Sequence, residues 1–229
     1  QVENFKEMVH EGTYMLIFSI LLSMTIILYF FRNNLNFYPK NIWLKRFAYI
    51  WIFQNSIMVI SVALRTYYYI EQMGLAYKRI GVFIFLLLTL VGLYTLYQKI
   101  STQKSIYYLF RVNTWAVYLV LIVMGTIDWD TQIVKHNLIH YRKVQQIGVN
   151  FMVSRAVKTL PLIHQNRHQI NPDGSWAEVP WYKDKEWLID GRIRTFLAEQ
   201  ANYSWLSWNY ADYKSKKYFT NVMHYPAHP

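Results

Sequence analysis

The sequence predicts an all-α, multi-pass membrane protein with about four transmembrane helices and a helical extramembrane C-terminal region. Three observations carry this. Only 16% of the 229 residues are charged while 54% are hydrophobic, against about 25% charged in ordinary soluble domains. The apolar residues are gathered into runs long enough to cross a bilayer, all before Asp128. Tyr and Trp crowd the ends of those runs, where a ring can be buried while its polar tip stays wet. The mean hydropathy of +0.06 conceals this, because it averages an apolar half with a polar one.

The first run, Tyr14 to Phe31, is uncharged and as a helix spans about 27 Å at about 1.5 Å per residue, just enough for a bilayer core. Asn33, Asn34, Asn36 and Pro39 then break the pattern, and Arg32, Lys40, Lys45 and Arg46 make 32–46 a basic loop. The second span, 47–70, ends in Tyr67, Tyr68 and Tyr69. A short connection with Gly74 leads to the third, 80–97, the most purely apolar. Gln98 to Asn113 is polar. The fourth span, 106–127, reaches full length only by including Arg111, which must snorkel to the interface. Asp128 and Asp130 stop it.

Residues 1–128 thus form a transmembrane region and 129–229 an extramembrane one. In the latter, 131–146 reads as a basic helix, Val149 to His164 as a second that Pro161 bends or ends, and Lys185 to Gln200 as a third. Asn171-Pro172-Asp173-Gly174 is a turn signal. Ser204 to His228, rich in Trp, Tyr and Lys, suits a membrane surface or a partner.

The formal charge of +11 would suggest nucleic acid in a soluble protein. Here the basic residues flank apolar runs, so anionic lipid head groups are expected and nucleic acid is not. Loops 32–46 and 98–113 hold seven Lys or Arg, whereas the N-terminal segment and 71–79 hold three. The positive-inside rule then puts the first two loops in the cytoplasm and the C-terminal region outside it. The absence of cysteine excludes disulfides and thiolate chemistry. The chain opens on Gln1 without the basic start of a signal peptide, so it reads as the C-terminal portion of something longer.

Candidate chemistry is sparse. His136 with His140, His164 with His168, and His224 with His228 are spaced i, i+4, which puts two imidazoles on one helix face. Each pair lacks a third ligand, so surface or interfacial histidines are the stronger reading and no metal site is expected. Asp128 and Asp130 resemble an acid pair but suit better the start of a helix near Thr131. Phosphate-loop, dinucleotide, Ser-His-Asp and kinase signatures cannot be read; no catalytic residue, cofactor or enzymatic activity is expected. Arg65 is costly inside a membrane, yet it lies near its span's end, where it can snorkel or meet Glu71. Gln54 and Asn55, near mid-span, need hydrogen-bond partners on another helix. With Trp205 and Trp208 in the tail, Arg65, Glu71, Gln54 and Asn55 are the interface candidates.

Four segments together resemble a known family. They are Phe5-Lys6-Glu7-Met8-Val9-His10-Glu11-Gly12; Ala63-Leu64-Arg65-Thr66-Tyr67-Tyr68-Tyr69-Ile70-Glu71-Gln72-Met73-Gly74-Leu75; Ile127-Asp128-Trp129-Asp130 through Lys135-His136-Asn137-Leu138; and Trp205-Leu206-Ser207-Trp208-Asn209-Tyr210. The order is similar to the C-terminal half of the bacterial DUF4173 (DUF4153-like) integral membrane proteins. Trp129-Asp130 stands where that family tends to have Pro-Asp, and Lys135-His136-Asn137 where it tends to have Ala-Arg-Tyr-Asn. The resemblance implies a bacterial envelope protein with further spans upstream and implies no reaction; the expected location is the inner (cytoplasmic) membrane. The expected function is a non-catalytic membrane subunit or scaffold of an envelope complex. Its partners would be membrane lipids and other membrane subunits or its own missing N-terminal spans. A transporter or channel component is the alternative.

Overall fold

A computed structural model describes residues 2–30, 42–140, 152–167 and 185–223, and among these every regular element is helical. Four long helices come first: α1 Val2–Phe30, α2 Ile42–Met73, α3 Tyr77–Ser101 and α4 Ile106–Thr126. Helices α2, α3 and α4 are long and apolar enough to cross a membrane, and α1 has a shorter apolar stretch, Met15–Tyr29. The stretch ahead of the first span is itself helical from Val2, as acidic residues near a helix N-terminus favour. The expected basic loop lies outside the described residues up to position 41, while Lys45 and Arg46 are part of α2.

The polar stretch 98–113 is mostly helix rather than loop. α3 continues through Ser101, and α4 begins at Ile106 with Ser105 as its N-cap, the hydroxyl accepting from the Tyr108 N–H. Lys99, expected in the loop, is fully buried in α3. Polar residues could join the helices because their groups are satisfied locally. The hydroxyls of Thr25, Ser56, Thr66 and Thr89 each donate to the carbonyl one turn back, at 2.8 to 2.9 Å. Hydrocarbon offers these groups no water, so a bond to their own helix substitutes for it.

Two compact units emerge. The first holds residues 1–69 and 78–127, the second 70–77 and 128–229. In the first, Ile20 and Ile27 of α1 join Ile52, Val59 and Val62 of α2 and Leu86, Leu93 and Leu96 of α3 in one core, with Leu109 of α4. Gly92 admits α1 closely: a Cβ there would stand 2.9 Å from the Met24 methyl. The Asn113 Nδ2 of α4 donates to Thr95 Oγ1 of α3 at 3.0 Å and to its own Leu109 carbonyl at 2.9 Å.

In the second unit, α5 runs Trp129–Ile139, shorter than the helix expected at 131–146, whose last residues lie outside the described ones. Pro161 does not bend or end a helix. It stands in the first turn of α6, Leu160–Gln165, where its missing N–H is no loss, following a 3₁₀ turn at Val157–Thr159. α7 Lys185–Ala201 and α8 Tyr210–Met223 complete the unit. Its core joins Val134 and Leu138 of α5, Leu160 and Ile163 of α6, Ile193 and Phe196 of α7 and Phe219 of α8. The turn at 171–174 lies outside the described residues.

The Asn113 bond to Thr95 should contribute on the usual scale for interhelical hydrogen bonds in membranes. Asn113→Leu is expected to lower resistance to SDS unfolding by about 0.6–2 kcal/mol, measured in mixed micelles.

Candidate functional site

The most organised polar cluster lies in the second unit, around the connection between α2 and α3. Helix α2 ends because Gly74 takes a left-handed conformation (φ 76°) and its N–H closes back on the Ile70 carbonyl at 2.8 Å. The next peptide is held by the side chain of Asn137. Asn137 Oδ1 accepts from the Leu75 N–H at 2.6 Å, and Nδ2 donates to the Leu75 carbonyl at 3.0 Å. Asn137 is almost wholly buried (1% exposed), and satisfies both groups of a peptide that no helix serves.

Two residues on, the Tyr77 hydroxyl donates to Asp130 Oδ1 at 2.6 Å. Asp128 is the N-cap of α5, accepting from the Thr131 N–H and hydroxyl at 3.3 and 2.7 Å. The ammonium of Lys158 reaches both acids, at 2.7 Å to Asp128 and 3.3 Å to Asp130, and the Arg155 guanidinium lies 5.8 Å from the Tyr77 ring centre. Burial pushes the Asp128 carboxyl up, but Lys158 and Thr131 more than offset this and hold it below the ordinary carboxylate range. Asp128 in turn raises the Lys158 ammonium above its ordinary value, against the effect of burial and with help from Asp130. The two acids are thus a helix cap and an ion-pair partner.

His136 and His140 stack at 4.4 Å between ring centres, with His140 Nδ1 bonded to the His136 carbonyl at 2.9 Å. A nitrogen directed at the backbone is not directed at a shared metal. His164 Nδ1 meets the Tyr218 hydroxyl at 3.2 Å, and the ring packs edge-on against Phe219. Burial lowers both His136 and His164, with the charge of His140 adding to the first and of Arg167 to the second. Their buried nitrogens, Nδ1 of His136 and Nε2 of His164, have no hydrogen-bond partner among the described residues. His168, His224 and His228 lie outside the described residues, among which no group of three His, Cys, Asp or Glu is placed to hold a metal.

The tail divides its rings. Phe219 is fully buried and Tyr218 packs against it, so these two belong to the unit's core rather than to a surface. Trp205 (83% exposed) and Leu206 (76%) on a 3₁₀ turn between α7 and α8, Trp208 (65%) at its end and Tyr210 (67%) at the start of α8 stand outside it. A recess of about 190 Å³ there is lined by Tyr203, Trp205, Trp208 and Tyr213 with Asn209 and Lys216.

The four remaining interface candidates lie on or next to α2. Asn55 is fully buried but does not reach another helix. Its Nδ2 donates to the Trp51 carbonyl of its own helix at 2.8 Å, and its Oδ1 has no partner among the described residues. Gln54 is exposed, as is Arg65, about two turns before the helix ends. Glu71 is exposed and belongs to the second unit. Sequence reasoning passed over Asn137, Lys158, Tyr77, Thr95 and Asn113 as functional groups. A signal for Asn137 existed: Ile133, Val134, Asn137 and Leu138 form one helical stripe, and an amide on an apolar stripe needs a partner inside the fold.

These features define a helical membrane protein in which a loop between two spans is gripped by an extramembrane helical region. The chain belongs to the DUF4153 family, described as a domain of unknown function, whose profile matches residues 4–166. The match runs from α1 through α6 and so takes in both Gly74-Leu75 and Asp128 to Asn137. No curated protein and no solved structure is matched.

Asn137→Ala should release the Leu75 peptide and destabilise the second unit by about 1–3 kcal/mol, the cost of stranding buried polar groups. Amide exchange of residues 70–77 in the detergent-solubilised protein is expected to accelerate accordingly.

Acidification should weaken the second unit in a defined window. The lowered His136 and His164 favour neutral imidazoles, so their contribution is present above about pH 6.5 and is lost as pH falls through their lowered values. Asp128 behaves alike at lower pH, whereas the Lys158 contribution is lost only as pH rises through its raised value. Melting temperature against pH should therefore decline below about 6.5, and His164→Gln should flatten that first decline.

Proposed function

We propose that this chain is a non-catalytic subunit or scaffold of a bacterial inner-membrane complex, docking partners through its spans and its aromatic, basic C-terminal region. The observation that carries the reading is the exposure of Trp205, Leu206 and Trp208 on one short turn, with Tyr210 at the start of α8. Solitary exposed apolar residues are ordinary, but a contiguous group rimmed by polar residues marks a surface that meets something. Asn209 and Lys216 supply such a rim, and Trp and Tyr are favoured at interfaces for their rigid, half-polar bulk. The double substitution Trp205→Ser with Trp208→Ser is expected to leave the chain inserted yet strip its companions during purification in mild detergent. Companions retained at wild-type ratios would refute the reading.

The same reading keeps the 32–46 and 102–105 loops in the cytoplasm and the C-terminal region outside it. Parity supports this arrangement. The α2–α3 connection packs with the region after α4, and two chain segments can meet in water only if an even number of crossings separates them. Crossing by both α3 and α4 meets that condition. In this cysteine-free chain, single cysteines at Asn36 and Gln103 should label from one side of the membrane and those at Ala76 and Ser175 from the other, the latter side being extracytoplasmic.

A further inference from the structure

Along α2, Gln54, Ser61, Arg65 and Tyr68 are all exposed. Their offsets from Gln54 are 7, 11 and 14 residues, which at about 3.6 residues per turn fall within about 40° of a single line down the helix. The buried face, with Ile52, Asn55, Val59, Val62 and Thr66, is centred about a third of a turn away. Beside the line the exposed residues are apolar: Phe53, Ile57, Ile60 and Leu64. Between Phe47 and Tyr67, every exposed polar residue other than Tyr67 lies on it.

Lipid suits the apolar flanks but not this line. Among the described residues the Gln54 side chain makes no hydrogen bond, and it stands near mid-helix, where the bilayer supplies neither donor nor acceptor. A head group could reach Arg65, but Gln54 is about 16 Å deeper at about 1.5 Å per residue. A second copy would answer one amide with another, yet it would bring two Arg65 guanidinia to the same level of the seam without a carboxylate between them.

We infer that the Gln54–Tyr68 line of α2 is the docking seam for a transmembrane helix of a partner polypeptide that carries an Asp or Glu level with Arg65 and an amide or hydroxyl side chain level with Gln54. Because rise per residue is common to all α-helices, those two groups stand about 11 residues apart in the partner, whichever way it runs. Ser61, between them and small, lets the two backbones approach. This names the chemistry of one partner and rests on the docking role proposed above.

The test is photo-crosslinking of the full chain in its native membrane, with a photoreactive residue at Ser61 or, off the line, at Ile60, and mass spectrometry of the adducts. The Ser61 probe is expected to join a segment of another polypeptide bearing the carboxylate and the amide or hydroxyl at that spacing, while the Ile60 probe yields lipid. Gln54→Leu, which insertion tolerates, should cut the Ser61 adduct by about tenfold, as loss of an interhelical hydrogen-bonded pair would. Arg65→Glu should abolish it, and reversing the partner's carboxylate to Lys should restore it. Lipid alone at Ser61, a second copy of this chain, an internal crosslink, or a partner segment without a carboxylate would each overturn the inference. If companions still depend on Trp205 and Trp208 while Ser61 meets only lipid, the seam fails and the docking role stands.

Discussion

The constraint on which everything else depends is that a bilayer core cannot hydrogen-bond. It forces the backbone of every span into a helix, since only there are the N–H and C=O groups paired within the segment. It also decides the fate of each polar side chain. Thr66 and Ser56 return their protons to their own helix, Asn113 crosses to Thr95, and Asn55 does half of this, pairing Nδ2 while Oδ1 has no partner among the described residues. The extent of the helices follows from the same constraint: α3 runs on through Lys99 to Ser101 rather than ending where polarity begins.

At the surface the problem inverts, because the backbone must leave the helix between α2 and α3 and still be served. Gly74 makes the turn, and the first exposed peptide beyond it is taken up by Asn137. The clamp has a structural consequence beyond two hydrogen bonds. Asn137 sits on α5, whose start is fixed by the Asp128 cap and the Lys158 ion pair, and whose inner face joins the core through Val134 and Leu138. Local chemistry at one loop is thereby tied to the packing of the whole second unit. Two of the four segments that carry the family resemblance, those containing Gly74-Leu75 and Asp128 to Asn137, make this joint.

What the sequence made legible was whatever depends on local pattern. The second, third and fourth apolar runs fall within a few residues of α2, α3 and α4, because a long apolar run in a bilayer has few alternatives to a helix. Asp128 was readable as a cap because capping needs only its neighbour Thr131. Pro161 was misjudged because proline's meaning depends on its place in a helix, which the preceding 3₁₀ turn sets. Phe219 looked like surplus surface because the tail's composition does not say which rings turn inward. Asn137 was beyond reach as a clamp for a different reason: its partner lies 62 residues away, and no period in the chain joins the two.

Exposure means opposite things in the two units, and this decides which surfaces carry functional weight. Helix α4 exposes apolar residues nearly all round, Trp115, Tyr118, Leu119, Leu121 and Ile122 among them, and lipid alone satisfies such a helix. Apolar exposure in a span is therefore silent about partners. A polar group exposed there is not, because lipid leaves it unpaired. Outside the membrane the rule reverses: exposed Lys and Asp are solvated and silent, while the uncovered rings of Trp205 and Trp208 are the costly feature. Applied to each unit with its own sign, the criterion discards most of the exposed area, and what it keeps includes the polar line on α2 and the aromatic turn before α8. Neither is needed for the packing of the two cores, whose residues lie elsewhere, so both can be altered without removing a core side chain, and that is what makes docking separable from folding in this chain.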